Sequence, residues 1–289
     1  MTSELIAAIA AVLERGERAA LVTIVRASGS TPQRVGAKML VHDDGRLVGT
    51  IGGGCYENDA AGKARLVMAS GQPQLVHYEL NDDLAEESGL ICGGRMDVFI
   101  EPVAPPPDLY VVGAGHVGLH VSRLAASVGF RLHVIDDRAA FANTDRFPDA
   151  AEVVVDDIPA WLAQAALPRG SHVVVVTRGH RHDLDAIRAL AGRDLAYLGL
   201  IGSRAKVARL FETLAEEGVP PEALRRIHAP IGLDIGAVTP EEIAVSIVAE
   251  LIAVRRGRLT HRDGTRDDDA PRAMRWTPPA LTRGPSGAA

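Results

Sequence analysis

Two cysteines stand where a thiol can be put to use. Cys55 closes the run Gly52-Gly-Gly-Cys55, and Cys92 lies in Ser88-Gly-Leu-Ile-Cys-Gly-Gly94. Glycines let a backbone approach a ligand closely, and the glycine run leads into a predicted helix over 55–69, whose N-terminus favours thiolate over thiol at Cys55. Thiolates are soft ligands suited to copper(I), zinc or iron–sulfur chemistry, and they can carry sulfur as a persulfide. The competing use of such a residue is as a small apolar filler of the core.

A second constellation lies further along. Gly113-Ala-Gly-His-Val-Gly118 follows an apolar strand and opens a helix, and Asp136 ends the next strand 18 residues after Gly118. Glycines so placed allow a tight turn, the approach of a pyrophosphate to backbone N–H groups, and close helix–strand packing, while the acid can bind a ribose hydroxyl. Asp136 favours an NAD-like ribose; Arg138 keeps a 2′-phosphate open. Two later loops fall where open α/β sheets bind ligands: Thr177-Arg-Gly-His180-Arg-His182-Asp183 and Gly199-Leu-Ile-Gly-Ser203-Arg204. His180, His182 and Asp183 could bind a metal or move protons, or Asp183 could be an N-cap beside solvated histidines. Ser203 and Arg204 suit a phosphate at a helix start, with N-capping as the alternative.

The elements that must hold these residues follow from periodicity. A helix near 5–13, a strand over 20–25, a hairpin of 38–42 and 46–50 around Asp43-Asp44-Gly45, the helix over 55–69 and strands 75–80 and 96–101 make a small N-terminal α/β domain. Strands over 109–112, 131–135, 153–155, 172–177 and 196–201 alternate with helices over 116–128 and 183–191. Runs such as Val173-Val-Val-Val176 fit parallel strands covered on both faces, so a Rossmann-like, doubly wound parallel-sheet domain is expected. Its last helix starts at Thr239 with Pro240 and Glu242, a capping box, and turns Ile243, Ile247, Leu251 and Val254 to one side. Four prolines in Glu101-Pro-Val-Ala-Pro-Pro-Pro-Asp108 set the expected division: residues 1–103, then linker and second domain over 104–257, then a disordered tail over 258–289.

Composition excludes several classes. The formal charge of −6 disfavours nucleic acid, and two cysteines cannot make a disulfide-dense secreted scaffold or a four-thiolate zinc site. No apolar run approaches the length needed to span a bilayer and no export signal opens the chain, so cytoplasmic residence without membrane contact is expected.

The chain resembles the XdhC/CoxI family. The residues that carry the likeness are Gly29-Ser-Thr-Pro-Gln-Arg-Val-Gly-Ala-Lys-Met-Leu-Val41, Gly49-Thr-Ile-Gly-Gly-Gly-Cys-Tyr-Glu57, Gly89-Leu-Ile-Cys-Gly-Gly94, the Gly113 turn, Thr177-Arg-Gly-His-Arg-His-Asp183, Leu198-Gly-Leu-Ile-Gly-Ser-Arg204 and Pro230-Ile-Gly-Leu-Asp-Ile-Gly236. The resemblance implies an accessory factor for molybdenum hydroxylases such as xanthine dehydrogenase. Such a factor binds the molybdenum cofactor, holds it while a cysteine desulfurase installs the terminal sulfido ligand, and helps deliver it to the apoenzyme: a chaperone rather than a turnover enzyme. It also implies a homodimer, and as partners the molybdenum-binding subunit of the client, the desulfurase and other cofactor-handling enzymes. The cofactor is an anionic pterin phosphate with a dithiolene, in some forms extended by a nucleotide. Gly52, Gly53, Gly54, Cys55, Cys92, Gly93 and Gly94 are therefore the candidates to hold it, with Arg34 and Lys38 as anion partners and the two thiols as molybdenum or persulfide contacts. Where the family often has Cys-Pro-Ile-Gly-Leu, this chain has His228-Ala-Pro-Ile-Gly-Leu233. Two rival functions remain at this stage. One is an NAD(P)-dependent oxidoreductase using Gly113, Gly115, Gly118 and Asp136, with His180 or His182 as acid/base; the other is a regulatory nucleotide sensor.

Overall fold

The computed structural model describes residues 3–80 and 94–259. Cys92, Gly93 and nearly all of the expected tail lie outside the described residues. Two compact units divide between Pro105 and Pro106.

In the first unit, five antiparallel strands form one sheet. They are β1 (Ala19–Gly29), β2 (Lys38–His42), β3 (Leu47–Gly49), β4 (Gln74–Leu80) and β5 (Gly94–Val103), in the order β3-β2-β1-β5-β4. Helix α1 (Ser3–Glu14) lays Leu5 and Val12 on one face with Ala19 and Leu40. Helix α2 (Gly54–Ser70) packs Ala60, Ala64, Val67 and Met68 on the other, against Val22, Ile24, Met39, Val41 and Val98. The alternation of Leu40 and Val41 between these two clusters is the period-2 signature of a strand covered on both sides. β1 runs four residues beyond the expected end at Val25. Its pairing with β5 continues to Gly29↔Gly94 across an irregularity between Ile24 and Arg26, and tertiary pairing of this kind overrides local propensity.

The second unit holds six parallel strands: β6 (Asp108–Val112), β7 (Arg131–Asp136), β8 (Glu152–Val155), β9 (His172–Val175), β10 (Tyr197–Leu200) and β11 (Ile227–His228). Their order is β11-β10-β9-β6-β7-β8, which is the doubly wound Rossmann order, with the chain reversing direction across the sheet between β6 and β9. Tyr110, Val112, Val173 and Val175 face a core shared with α4 (Ile158–Gln164), α5 (His180–Leu190), α6 (Arg204–Glu216) and α7 (Pro221–Arg225). Their neighbours Leu109, Val111, Val174 and Val176 face α3 (His116–Ser127) and α8 (Pro240–Arg255). The capping box at Thr239 and Glu242 is present, and Ile247 and Leu251 are buried. Helices α4 and α7 and strand β11 were not expected, although the Asp157 N-cap and the proline in the first turn of α4 are readable start signals.

One histidine of this unit makes its stability depend on pH. His172 opens β9, buried with the Phe130 ring edge-on at 5.2 Å and the Tyr197 ring at 6.4 Å. Burial, assisted by the Arg255 charge, pushes its pKa down to about 4. An unfolded histidine titrates near 6.5, so as pH falls the unfolded chain takes the proton first. The stabilisation is complete above that value and is lost as pH falls towards 4. Urea unfolding is expected to lose about 2 kcal/mol between pH 7 and 5, a limb that His172→Gln removes.

Candidate functional site

In the first unit the glycine run is a wrapped loop. Gly52, Gly53 and Gly54 all have positive φ, at 131°, 75° and 69°, and Gly53 is the N-cap of α2. A Cβ on Gly52 would lie 2.5 Å from the Pro32 side chain, and one on Gly94 would lie 2.5 Å from the Ser30 carbonyl oxygen. The glycines of two separate motifs therefore close onto the same segment, 30–32, and Arg34, exposed, follows it two residues on. Cys55 sits partly buried in the first turn of α2. Lys38 is committed, its ammonium donating to Thr23 Oγ1 at 2.8 Å.

The centre of this loop is a residue to which no role fell from the sequence. Glu57 Oε2 accepts from Thr50 Oγ1 at 2.5 Å, from the Ile51 amide at 3.0 Å and from the Gly53 amide at 3.1 Å. The Gly52 amide donates to Thr50 Oγ1 at 3.0 Å. Burial works against the Glu57 charge, yet the Thr50 hydroxyl and the loop amides outweigh it and hold the carboxyl below its usual range. The amides of Gly52 and Gly53 are thus spent inside the loop. An acid in the first turn of a helix that follows a glycine run is the signal that could have found it.

In the second unit, ligand-binding geometry gathers at the carboxyl ends of the strands. Gly113 has φ 113°, donates to Ile135 O at 2.8 Å, and stands where a Cβ would meet Val176 O at 2.5 Å. A Cβ on Gly118 would lie 2.0 Å from Gly113 O. Gly115, the N-cap of α3, has open space at its Cβ position and no side-chain cap, so no capping side chain takes up the first-turn amides of α3. Two glycines serve packing and the third has open space beside it.

Asp136 is buried and takes four donors: the Ala114 amide at 2.8 Å, the Arg138 amide at 3.1 Å, and Arg138 Nε and Nη2 at 2.8 and 2.9 Å. Burial raises its pKa, but Arg138 and the two amides more than reverse that and keep it ionised. Two oxygens offer about four lone-pair sites, so the carboxylate is saturated. Arg138 stacks on Phe141 at 3.8 Å and Arg146 donates to Ala114 O at 3.2 Å, which backs the turn from the other side.

Asp183 is not the N-cap of α5. Gly179 caps that helix, which starts at His180, so Asp183 lies a turn inside it, fully buried, accepting from Thr177 Oγ1 at 2.5 Å and from the Lys206 ammonium. His182 is partly buried on the same helix. Ser203 caps α6 through the Lys206 amide at 3.3 Å, and Arg204 is the exposed first residue of that helix. Among the described residues no group of three His, Cys, Asp or Glu side chains is placed to hold a metal ion.

Comparison with known proteins bears on both units. The family described as XdhC and CoxI matches residues 12–79, and the XdhC Rossmann domain matches residues 109–251. The chain belongs to the XdhC and CoxI family. Among its relatives, the uncharacterized protein YqeB of Escherichia coli is 36% identical over 82% of this chain, which spans only 43% of that protein's length. The molybdenum cofactor insertion chaperone PaoD of Escherichia coli is 28% identical, over 84% of this chain and 85% of its own. A crystal structure of a xanthine dehydrogenase from Bacillus halodurans matches with TM-score 0.50 and 26% identity, over 88% of this chain and 96% of that one. Membership accounts for the two-sheet α/β architecture and for the order of the motifs along the chain.

The glycines of the Gly113 turn make separable demands. Gly118→Ala is expected to cost about 1–3 kcal/mol in urea unfolding because the new methyl overlaps backbone. Gly115→Ala, with nothing near and a negative φ, should cost no more than about 1 kcal/mol.

Proposed function

We propose that this chain is a maturation factor for a molybdenum hydroxylase of the xanthine dehydrogenase type. It takes the molybdenum cofactor as cargo, holds it during sulfuration, and assists its insertion into the apoenzyme. The observation that supports this most is the likeness to an insertion chaperone over more than four fifths of both chains. The donor set of the first unit suits such cargo. Cys55 offers a soft thiol at a helix start, Gly52 lets the loop close on Pro32, Gly53 has open space at its Cβ position, and exposed Arg34 offers a cation to the pterin phosphate. In this proposal the glycines act through conformation rather than through their amides, and Cys92, Gly93 and Gly94 are further candidates to hold the cargo. Nothing in the set demands turnover: a carrier needs a retaining thiol and an anion partner.

The partners that follow are the molybdenum-binding subunit of the client, a cysteine desulfurase and cofactor-handling enzymes, with the chain as a cytoplasmic homodimer. Among the described residues no helix is long and apolar enough to cross a membrane. The Gly113 turn supplies a second anion site, for the cofactor's nucleotide or another phosphate-bearing ligand. Saturation of Asp136 by Arg138 and Ala114 argues against the rival oxidoreductase role, because a ribose diol of NAD would find no acceptor there.

Protein purified from cells that make the cofactor is expected to release oxidised-pterin fluorescence, absent from a strain unable to make it. Cys55→Ser with Cys92→Ser should lower that pterin several-fold; unchanged pterin and unchanged activation of apo-dehydrogenase would remove the thiols from the mechanism. Titration with NAD+ and NADH should show dissociation constants weaker than about 1 mM; micromolar binding abolished by Asp136→Asn would restore the oxidoreductase.

A further inference from the structure

The loop 50–57 wraps one atom. A hydroxyl and two amides, from three positions before Cys55, converge on Glu57 Oε2, two residues after it. The Gly53 to Glu57 bond closes a ring of five residues with Cys55 at its middle, and the Thr50 bond ties that ring to the end of β3. The three glycines of the loop hold backbone conformations that side chains rarely adopt. Such a segment has no regular ladder to hold it, since β3 has ended and the ladder of α2 has not begun. Its conformation is set by what its polar groups bind, and in this molecule that is the Glu57 carboxylate.

We propose that Glu57 is the positioning residue of the first unit, fixing the glycine loop and the first turn of α2 so that the Cys55 thiol is presented at one place. Its importance for cargo retention rests on the maturation role proposed above; its control of Cys55 does not. All three loop donors use a single oxygen, and this separates geometry from charge. Glutamine keeps one acceptor oxygen and loses the charge, whereas alanine loses both. The charge of Glu57 is absent from both variants, so comparing the two reports the loop alone. With the loop unfixed in the alanine variant, the thiol is presented at that place for less of the time.

The test is the rate of Cys55 alkylation by iodoacetamide, followed by mass spectrometry in full-length Cys92→Ser protein at fixed pH, with thermal unfolding measured beside it. Glu57→Gln is expected to react at least as fast as the parent, and Glu57→Ala about fivefold more slowly than Glu57→Gln. Thr50→Val, which removes one donor of three, should fall between them and serves as the decisive variant if the alanine does not fold. Pterin content of the same variants in a Cys92-containing background should rank in the same order. Equal alkylation in the glutamine, alanine and valine variants would overturn the proposal, as would a glutamine variant as slow as the alanine. Loss of the alkylation ranking defeats the positioning role, while an intact ranking with pterin content indifferent to every substitution, Cys55→Ser included, defeats the maturation role instead.

Discussion

Backbone meets backbone in both units, and the absence of a Cβ is what permits it. Gly113 sits where a methyl would strike the carbonyl of Val176, and Gly118 where one would strike the carbonyl of Gly113 itself. These two approaches bring the β6 turn, the end of β9 and the start of α3 into one corner, at the point where the strand order reverses. In the first unit Gly94 closes on the Ser30 carbonyl and Gly52 on the Pro32 ring, drawing separate motifs onto one short segment. The Gly113 turn and the loop before α2 stand on these close approaches.

Polar side chains then consume the freedom the glycines create. Glu57 is filled by its own loop, Asp136 by Arg138 and the glycine turn, and Asp183 by Thr177 and Lys206. Each is a carboxylate held by donors from a loop that would otherwise lack a fixed shape. Buried carboxylates persist only when their lone pairs are met, and here the partners are the very groups that a search for ligand contacts would select. The same pattern recurs deeper in the second unit, where buried Glu250 takes Tyr197 Oη at 2.7 Å, His228 Nδ1 at 2.8 Å and the Gly232 amide at 2.5 Å. His228, beside the Ala229 that stands where the resemblance would put a cysteine, thus has a structural partner.

The sheet of the second unit was legible in its valines and its capping residues. Val173 to Val176 reads as a strand covered on both faces, which the structure bears out, and the Thr239–Glu242 box marks a helix start. The close packing expected of the Gly113 turn is present at Gly113 and Gly118, whereas Gly52 and Gly94, read as places for a ligand to approach, close on the Pro32 side chain and the Ser30 carbonyl. What could not be read was which acid meets which donor. Asp136 has the spacing of a ribose ligand, but its use is decided by Arg138, two residues on and able to fold back. Asp183 has the composition of an N-cap, but Gly179 supplies the extended residue that a helix start needs, and Lys206, 23 residues away, claims the carboxylate. Pairings of this length depend on tertiary placement, which single-residue propensity does not contain.

The Lys206 to Asp183 pair spans two crossovers. Asp183 belongs to the helix after β9 and Lys206 to the helix after β10, and Thr177 adds the loop between β9 and its helix to the same knot. The carboxylate is wholly sealed from solvent, so neither helix start can shift alone without stranding a charge. The two loops at this edge of the sheet therefore behave as one mechanical part. Whatever presses on Ser203 and Arg204 is transmitted to Thr177, and this edge yields as a single jaw rather than as independent fingers.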